Sequence, residues 1–119
     1  MDSTDQERDR KIAVIGAGHG GLAMAGHLAL MGCKVNLFNR GEERLWGVRN
    51  SGTIELTGEV HGFGEINMAT TSMKEAIEGV ELIMVVVPAN GHGWLAEQMA
   101  PHLVDNQIII LHPGRTFGA

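Results

Sequence analysis

The chain has 119 residues, of which 44% are hydrophobic and 19% are charged, and its formal net charge at pH 7 is −5. This is the balance of one ordinary globular domain, which excludes a disordered or fibrous chain. Its nine Lys and Arg residues are scattered, whereas nucleic acids and anionic membranes select for clustered basic residues, so neither is an expected partner.

The amino-terminal residues 1–10 are polar and contain no apolar segment of the kind that a secretory signal needs. We expect them to form a disordered tail ahead of a single domain over residues 11–119. The longest apolar run, residues 82–89, is too short to span a membrane. Because one cysteine, Cys33, cannot by itself form a disulfide within the chain, a cytoplasmic location is expected.

The first structural element lies in residues 11–31, where the apolar strand KIAVI runs into the loop GAGHGG and then into a helix-forming stretch. In a G-x-G-x-x-G loop, Gly16 permits the tight turn out of the strand, Gly18 lets the backbone approach a phosphate, and Gly21 lets the helix pack close to the strand. The first N–H groups of the helix have no intrahelical acceptor, and the helix dipole makes this end positive. The pattern predicts the pyrophosphate site of a dinucleotide, and the alternative is a glycine-rich turn without a ligand.

The elements that follow complete a βαβ unit and add a small hairpin. A second strand at residues 34–39 comes directly after the helix, which is the context that makes the glycine motif specific. Alternating residues at 53–64 predict a two-stranded hairpin with a glycine turn, inserted at the sheet edge. A short strand at 66–69 leads to Thr and Ser residues that can cap a helix over 73–77, and Gly79 ends that helix.

The most hydrophobic stretch, residues 81–87, predicts a central parallel strand buried on both faces. A helix over about 94–103 and a strand over 107–111 follow. Because ligands of an open α/β sheet bind outside the carboxyl ends of the strands, the loop 88–93 is expected to face the same crevice as the glycine motif. The predicted fold is a Rossmann-like doubly wound α/β domain, with its main parallel strands in the order 3-2-1-4-5 and the hairpin at an edge.

The end of the second strand governs the choice of cofactor. NAD-specific sites carry an Asp or Glu there, about 20 residues past the glycines, which binds the ribose hydroxyls and repels a 2′-phosphate. This chain has Asn39, which can bind a hydroxyl, and Arg40, which can contact a phosphate through its planar fork. We therefore expect NADP to bind more tightly than NAD, with NAD still accepted. The alternatives are an Arg40 that is only solvated, and an attraction that Glu42 and Glu43 reduce.

The six histidines of the chain raise the question of a metal site. His92, His102 and His112 are evenly spaced, but the predicted elements put His102 at the opposite edge of the sheet. His19, His92 and His112 converge on the ligand edge without the spacing of an H-x-x-x-H, E-x-x-H or C-x-x-C motif. We therefore expect polar loop roles for these histidines and no metal site.

Three segments together resemble the N-terminal cofactor domain of the octopine/nopaline (opine) dehydrogenases: GAGHGGLAMAGHLALMG, VVVPANGHGWLAE and LHPGRTFGA. Glycerol-3-phosphate dehydrogenases and ketopantoate reductases share the first segment, whereas the pairing of PANGHG with HPGRT is more specific. The resemblance implies an NAD(P)-dependent oxidoreductase that condenses a 2-oxo acid with an amino acid and reduces the imine by hydride transfer.

The resemblance also implies which residues bind the cofactor. It assigns the three motif glycines to the pyrophosphate, residues 88–92 to the nucleoside and nicotinamide side of the cleft, and residues 112–116 to its inner end. Arg115 pairs with a phosphate or a substrate carboxylate, or else forms a structural ion pair. The predicted cofactor-binding residues are Gly16, Gly18, His19, Gly20, Gly21, Asn39, Arg40, Pro88, Ala89, Asn90, His92 and Arg115.

Opine dehydrogenases have a second, largely helical domain that carries the proton-relaying histidine and most of the substrate pocket. We expect the chain to be truncated before that domain, so its catalytic residues are unknown and it is expected to be inactive alone and to self-associate through its last strand. Two alternatives remain. One is the cofactor domain of a glycerol-3-phosphate dehydrogenase or ketopantoate reductase-like enzyme, and the other is a non-catalytic NAD-sensing module.

Overall fold

The chain folds around a five-stranded parallel sheet, seen in a computed structural model that describes residues 10–56, 61–87 and 92–111. In chain order the strands are β1 (Lys11–Ile15), β2 (Lys34–Phe38), β3 (Thr53–Leu56), β4 (Gly62–Glu65), β5 (Met68–Thr70), β6 (Leu82–Val85) and β7 (Ile108–Leu111). The sheet has the order β5-β2-β1-β6-β7, which is the order predicted for the main strands, and every neighbouring pair is parallel. The Rossmann-like fold is thereby confirmed, and residues 1–9 of the predicted tail lie outside the described residues.

Helices cover both faces of this sheet. They are α1 (His19–Leu30), α2 (Trp46–Ser51), α3 (Met73–Ile77) and α4 (His92–Met99), with 3-10 turns at Glu43–Leu45 and Ala100–His102. Successive side chains of β1 point to opposite faces, so Ile12 and Val14 pack with α1 while Ala13 and Ile15 pack with α3 and α4. A strand buried on both faces is apolar throughout, which explains the run KIAVI. No helix in the described ranges is both long and apolar enough to cross a membrane.

The helix predicted over 73–77 has the predicted ends. The Ser72 hydroxyl accepts a backbone N–H of the first turn at 3.3 Å, and Gly79 beyond the helix has a left-handed φ of +77°. The helix predicted over 94–103 begins and ends earlier than expected. It ends earlier because Pro101 belongs to the 3-10 turn that follows α4, and proline cannot continue the α-helical hydrogen-bond ladder.

The hairpin predicted at residues 53–64 forms a separate two-stranded sheet and does not extend the edge of the main sheet. It packs on the outer side of α1, where a Cβ placed on Gly26 would lie 3.0 Å from the Ile54 side chain. A Cβ on Gly64 would lie 2.5 Å from the carbonyl oxygen of Gly26. The two glycines let strand and helix backbones approach, so the hairpin covers the helix. Helix α1 is therefore buried on two sides.

The two faces of β6 differ in burial. Ile83 and Val85 are fully buried on the side of α3 and α4, whereas Leu82 and Met84 are only partly buried. The prediction that this strand is buried on both faces is therefore correct for one face only. Its neighbour β7 lies at the sheet edge with all four residues exposed, and two of its side chains extend the face of Leu82 and Met84. Within the described residues, α1 packs over β1 and β2 and leaves that face open.

Candidate functional site

The first motif glycine makes the turn at the carboxyl end of β1. Gly16 has a φ of +117°, in the region that favours glycine, and a Cβ there would lie 2.5 Å from the carbonyl oxygen of Val86 and 2.7 Å from Val87 Cγ1. The N–H of Gly16 donates to the carbonyl oxygen of Phe38 at 2.7 Å, so the turn begins on the hydrogen-bond ladder between β1 and β2. The positive φ and the close backbone of Val86 therefore both require glycine at this position.

The third motif glycine lets the first turn of α1 rest on that same turn. A Cβ on Gly21 would overlap the carbonyl oxygen of Gly16. The predicted close approach of helix and strand is present, and the helix touches the turn at the strand end instead of the strand itself. The start of α1 is therefore fixed directly against the end of β1, without a ligand.

The second motif glycine faces open space. Gly18 is the N-cap of α1, with an extended backbone at φ −74° and ψ −173°, and its carbonyl oxygen accepts the N–H of Leu22 at 2.8 Å. Apart from its own chain neighbours and the backbone of α1, no described residue has an atom within 4 Å of the position that a Cβ would take. His19 and Gly20 come next and are exposed, and the first turn carries no acidic residue. Nothing in the described fold demands glycine here, so the open cradle fits an anion bound by the unpaired N–H groups of the helix start.

Asn39 joins the glycine loop to the end of β2. Its side-chain oxygen accepts the N–H of Ala17 at 3.0 Å, and its side-chain nitrogen donates to the carbonyl oxygen of Gly41 at 2.9 Å. An amide suits this place because it accepts and donates at once. One amide hydrogen remains beyond these two bonds, so the predicted contact with a ribose hydroxyl is compatible with the geometry.

Arg40 lies over an aromatic ring that comes from another part of the chain. Its guanidinium carbon lies 4.4 Å from the centroid of the Trp94 ring, in the first turn of α4. Trp94 in turn packs against Phe38, with ring centroids 6.5 Å apart. Of the two acids expected to reduce the attraction of Arg40 for a phosphate, Glu42 is paired with Arg49 at 2.9 Å, whereas Glu43 belongs to neither ion pair of the described residues. The ion pair at Glu42 is exposed, so it offsets part of this acidic charge.

A cavity of about 160 Å³ lies beside these groups, between the ends of β1 and β2 and the start of α4. Its walls are mainly apolar, with Asn39 and Arg40 among the lining residues. A planar apolar base with a polar sugar attached matches this lining. The lining residues are Ile15, Gly16, Phe38, Asn39, Arg40, Val87, Trp94 and Leu95.

Sequence reasoning missed Trp94, which forms part of this wall. The sequence signal for it was a tryptophan in the first turn of the helix that follows the loop 88–93. Of the other predicted site residues, Pro88, Ala89, Asn90 and Arg115 lie outside the described residues, and so does the segment 112–116. His92 begins α4. The described part of the chain holds no group of three His, Cys, Asp or Glu side chains that could bind a metal ion.

The sheet order, the glycine turn and the open helix start define an NAD(P)-binding domain of the dehydrogenase type. The chain belongs to the family described as the NAD-dependent glycerol-3-phosphate dehydrogenase N-terminus, whose model matches residues 11–113. It is 34% identical over 108 residues to the opine dehydrogenase of Arthrobacter sp. (strain 1C), a match that covers 90% of this chain and 30% of that protein. This likeness confirms the resemblance predicted from the motifs.

Two further comparisons agree with this assignment. The chain is 33% identical over 89 residues to the NAD(P)+ glycerol-3-phosphate dehydrogenase of Limosilactobacillus reuteri, covering 75% of this chain and 26% of that one. An octopine dehydrogenase solved with NADH and agmatine has the same fold, with a TM-score of 0.76 and 21% identity over 86% of this chain and 28% of the other. The chain thus spans about 30% of the length of the relatives it matches.

Proposed function

We propose that this chain is the cofactor domain of an opine-type dehydrogenase, an oxidoreductase that acts on CH–NH bonds. Such an enzyme condenses a 2-oxo acid with the amino group of an amino acid and reduces the resulting imine. The observation that carries the proposal is the identity to an opine dehydrogenase over 90% of this chain. The amino acid and 2-oxo acid are the substrates of the complete enzyme under this proposal.

The residues gathered at the strand ends hold the cofactor, which supplies a hydride when it is bound. The backbone N–H groups of His19 and Gly20, beside the open position at Gly18, bind the pyrophosphate. The cavity beside Asn39 and Arg40 holds the adenosine. The family resemblance assigns residues 88–92 and Arg115 to binding of the same cofactor.

Arg40 gives this site its preference for NADP. Two features support this: Asn39 carries no charge that would repel a 2′-phosphate, and Glu42 is occupied by Arg49. The N–H donors of Arg40 match the oxygens of a phosphate. NAD also binds, because the pyrophosphate and base contacts are the same for both cofactors.

A second candidate is the cofactor domain of a glycerol-3-phosphate dehydrogenase, which the family match and the Limosilactobacillus relative favour. A ketopantoate reductase-like enzyme shares the same fold, seen in a 2-dehydropantoate 2-reductase with a TM-score of 0.69 and 22% identity. The relatives named here are dehydrogenases and reductases, and none supports an NAD-sensing module. A cytoplasmic location and a domain that extends to residue 119 remain predictions.

Two chimaeric enzymes distinguish the candidates. In one, residues 11–119 replace the matching N-terminal part of the Arthrobacter opine dehydrogenase, and in the other they replace that of the Limosilactobacillus glycerol-3-phosphate dehydrogenase. We expect the first chimaera to oxidise NAD(P)H with pyruvate and a panel of amino acids, and the second to be nearly inactive on its own substrate. The opposite result would assign the chain to glycerol-3-phosphate dehydrogenases. As a control, the isolated chain should bind NAD(P)H, by nicotinamide fluorescence, without turnover.

A further inference from the structure

We propose that Trp94 is a positioning residue that holds Arg40 in place for the 2′-phosphate of NADP. The inference rests on the proposed phosphate contact of Arg40 and adds a residue that neither the motif nor the comparisons assign. Cofactor choice would then depend on an aromatic ring in α4 as well as on the end of β2.

A short stack of side chains, Phe38, Trp94 and Arg40, fixes the arginine. Phe38 is 3% exposed and ends β2, so the sheet holds its ring. Trp94 is half-buried and packs against Phe38 at an interplanar angle of 31°. Arg40 is exposed, and an exposed arginine samples many rotamers unless a contact restricts it. The Trp94 ring, 4.4 Å from the guanidinium carbon, is that contact.

Stacking leaves the phosphate-binding groups of Arg40 available. When a guanidinium stacks on a ring, its flat face makes the contact and its N–H donors lie around the edge in the same plane. A carboxylate partner would occupy that edge and compete with a phosphate. Within the described ranges the ion pairs are Arg10 with Glu81 and Arg49 with Glu42, and Arg40 takes part in neither. The ring therefore orders Arg40 without using the donors that a phosphate needs.

Glu42, one of the two acidic residues close to Arg40 in the sequence, is paired with a different arginine. Arg49, on α2, donates to the Glu42 carboxylate at 2.9 Å, and a second donor of its guanidinium bonds the carbonyl oxygen of Ala69 at 2.9 Å. Two anchors fix Arg49, and Arg49 in turn fixes Glu42. Glu42 is therefore paired with Arg49 of α2, whereas Arg40 lines the cavity.

The test compares the dissociation constants of NADPH and NADH, measured by nicotinamide fluorescence, across a set of variants. Trp94→Leu keeps an apolar side chain and removes the ring, Trp94→Phe keeps a ring, and Trp46→Leu removes the other tryptophan, which is 60% exposed on α2. We expect Trp94→Leu to reduce the preference for NADPH by about two- to fivefold. Trp94→Phe should keep most of the preference, and Trp46→Leu all of it.

A double variant isolates the coupling. Adding Trp94→Leu to Arg40→Ala should leave the NADPH to NADH ratio unchanged. Any contact of the ring with the base is common to both cofactors, so the ring affects this ratio only through the arginine. Independent effects of the two changes on that ratio, or equal weakening of both cofactors by Trp94→Leu, would overturn the proposal. A wild type that binds NADH and NADPH equally overturns it as well. A wild type that binds neither refutes the proposed function itself.

A fluorescence measurement tests the proposal without altering Trp94. In a Trp46→Phe background Trp94 is the one remaining tryptophan of the chain. Adenosine 2′,5′-bisphosphate should change its emission more than 5′-AMP does, and Arg40→Ala should make the two probes alike. If both probes change the emission equally while Arg40 is present, Arg40 does not contact the 2′-phosphate while it lies over Trp94.

Discussion

A substitution at Gly18 should affect cofactor binding much more than stability, because the backbone there is extended and the space beside it is open. At φ −74° and ψ −173° a valine meets no backbone strain, and apart from the chain neighbours and the backbone of α1 no described residue has an atom within 4 Å of its Cβ. Glycine is a better N-cap than valine, so Gly18→Val should lower the free energy of unfolding by about 0.5–1 kcal/mol. The valine methyl groups fill the approach of the pyrophosphate. We expect the affinity for NADH and NADPH to fall about a hundredfold, which is roughly 2.7 kcal/mol.

Gly21→Ala is the comparison for stability, since its Cβ meets the backbone of the fold whereas the space beside Gly18 is open. Its Cβ would overlap the carbonyl oxygen of Gly16, so α1 must shift away from the end of β1. Overpacking of this kind costs about 1–3 kcal/mol, and backbone overlap puts the change at the upper end of that range. Urea unfolding gives the stabilities and nicotinamide fluorescence the affinities. Wild-type affinity in Gly18→Val, or a stability loss as large as that of Gly21→Ala, would refute the reasoning.

Two other predictions concern charge and the sheet edge. Arg40→Ala should weaken NADPH binding about tenfold or more, because a charge-assisted contact contributes about 1.5–3 kcal/mol, and it should leave NADH binding nearly unchanged. If titrations show that both cofactors bind more weakly by the same factor, Arg40 contacts the base or only solvent. The isolated chain should self-associate through the exposed, apolar edge strand β7, and Ile108→Lys with Ile110→Lys should reduce this in light scattering. A monomeric wild type at high concentration would contradict the edge-strand argument.

Local patterns predicted the elements and their order well. The run KIAVI, the glycine motif and the cap at Ser72 each depend on residues close together in the chain, so the sequence carries their signal. The parallel order followed because consecutive βαβ units allow few arrangements. The hairpin was predicted, but its packing on α1 was not. That packing depends on the close approach of Gly26 and Gly64, which lie in distant segments of the chain. No periodicity within either segment encodes that contact.

The candidate site likewise has a part that the sequence predicts and a part that it does not. Gly16, Gly18 and Gly21 act through backbone geometry that a short motif specifies. Trp94 enters the cavity only because the sheet order brings the start of α4 beside the end of β2. Its importance follows from contacts with Phe38 and Arg40, which sequence spacing does not reveal.

The two ends of the site are physically connected through Asn39. Its side-chain oxygen accepts the N–H of Ala17 in the glycine loop, so under the proposed function the residue that meets the ribose also shapes the loop that meets the pyrophosphate. A carboxylate there could accept the same N–H, but it could not donate to the carbonyl oxygen of Gly41, and its charge would repel a 2′-phosphate. The amide therefore keeps the loop in shape without adding a negative charge beside Arg40. Under the proposed function, discrimination between NAD and NADP then depends on Arg40 and on the ring that orients it.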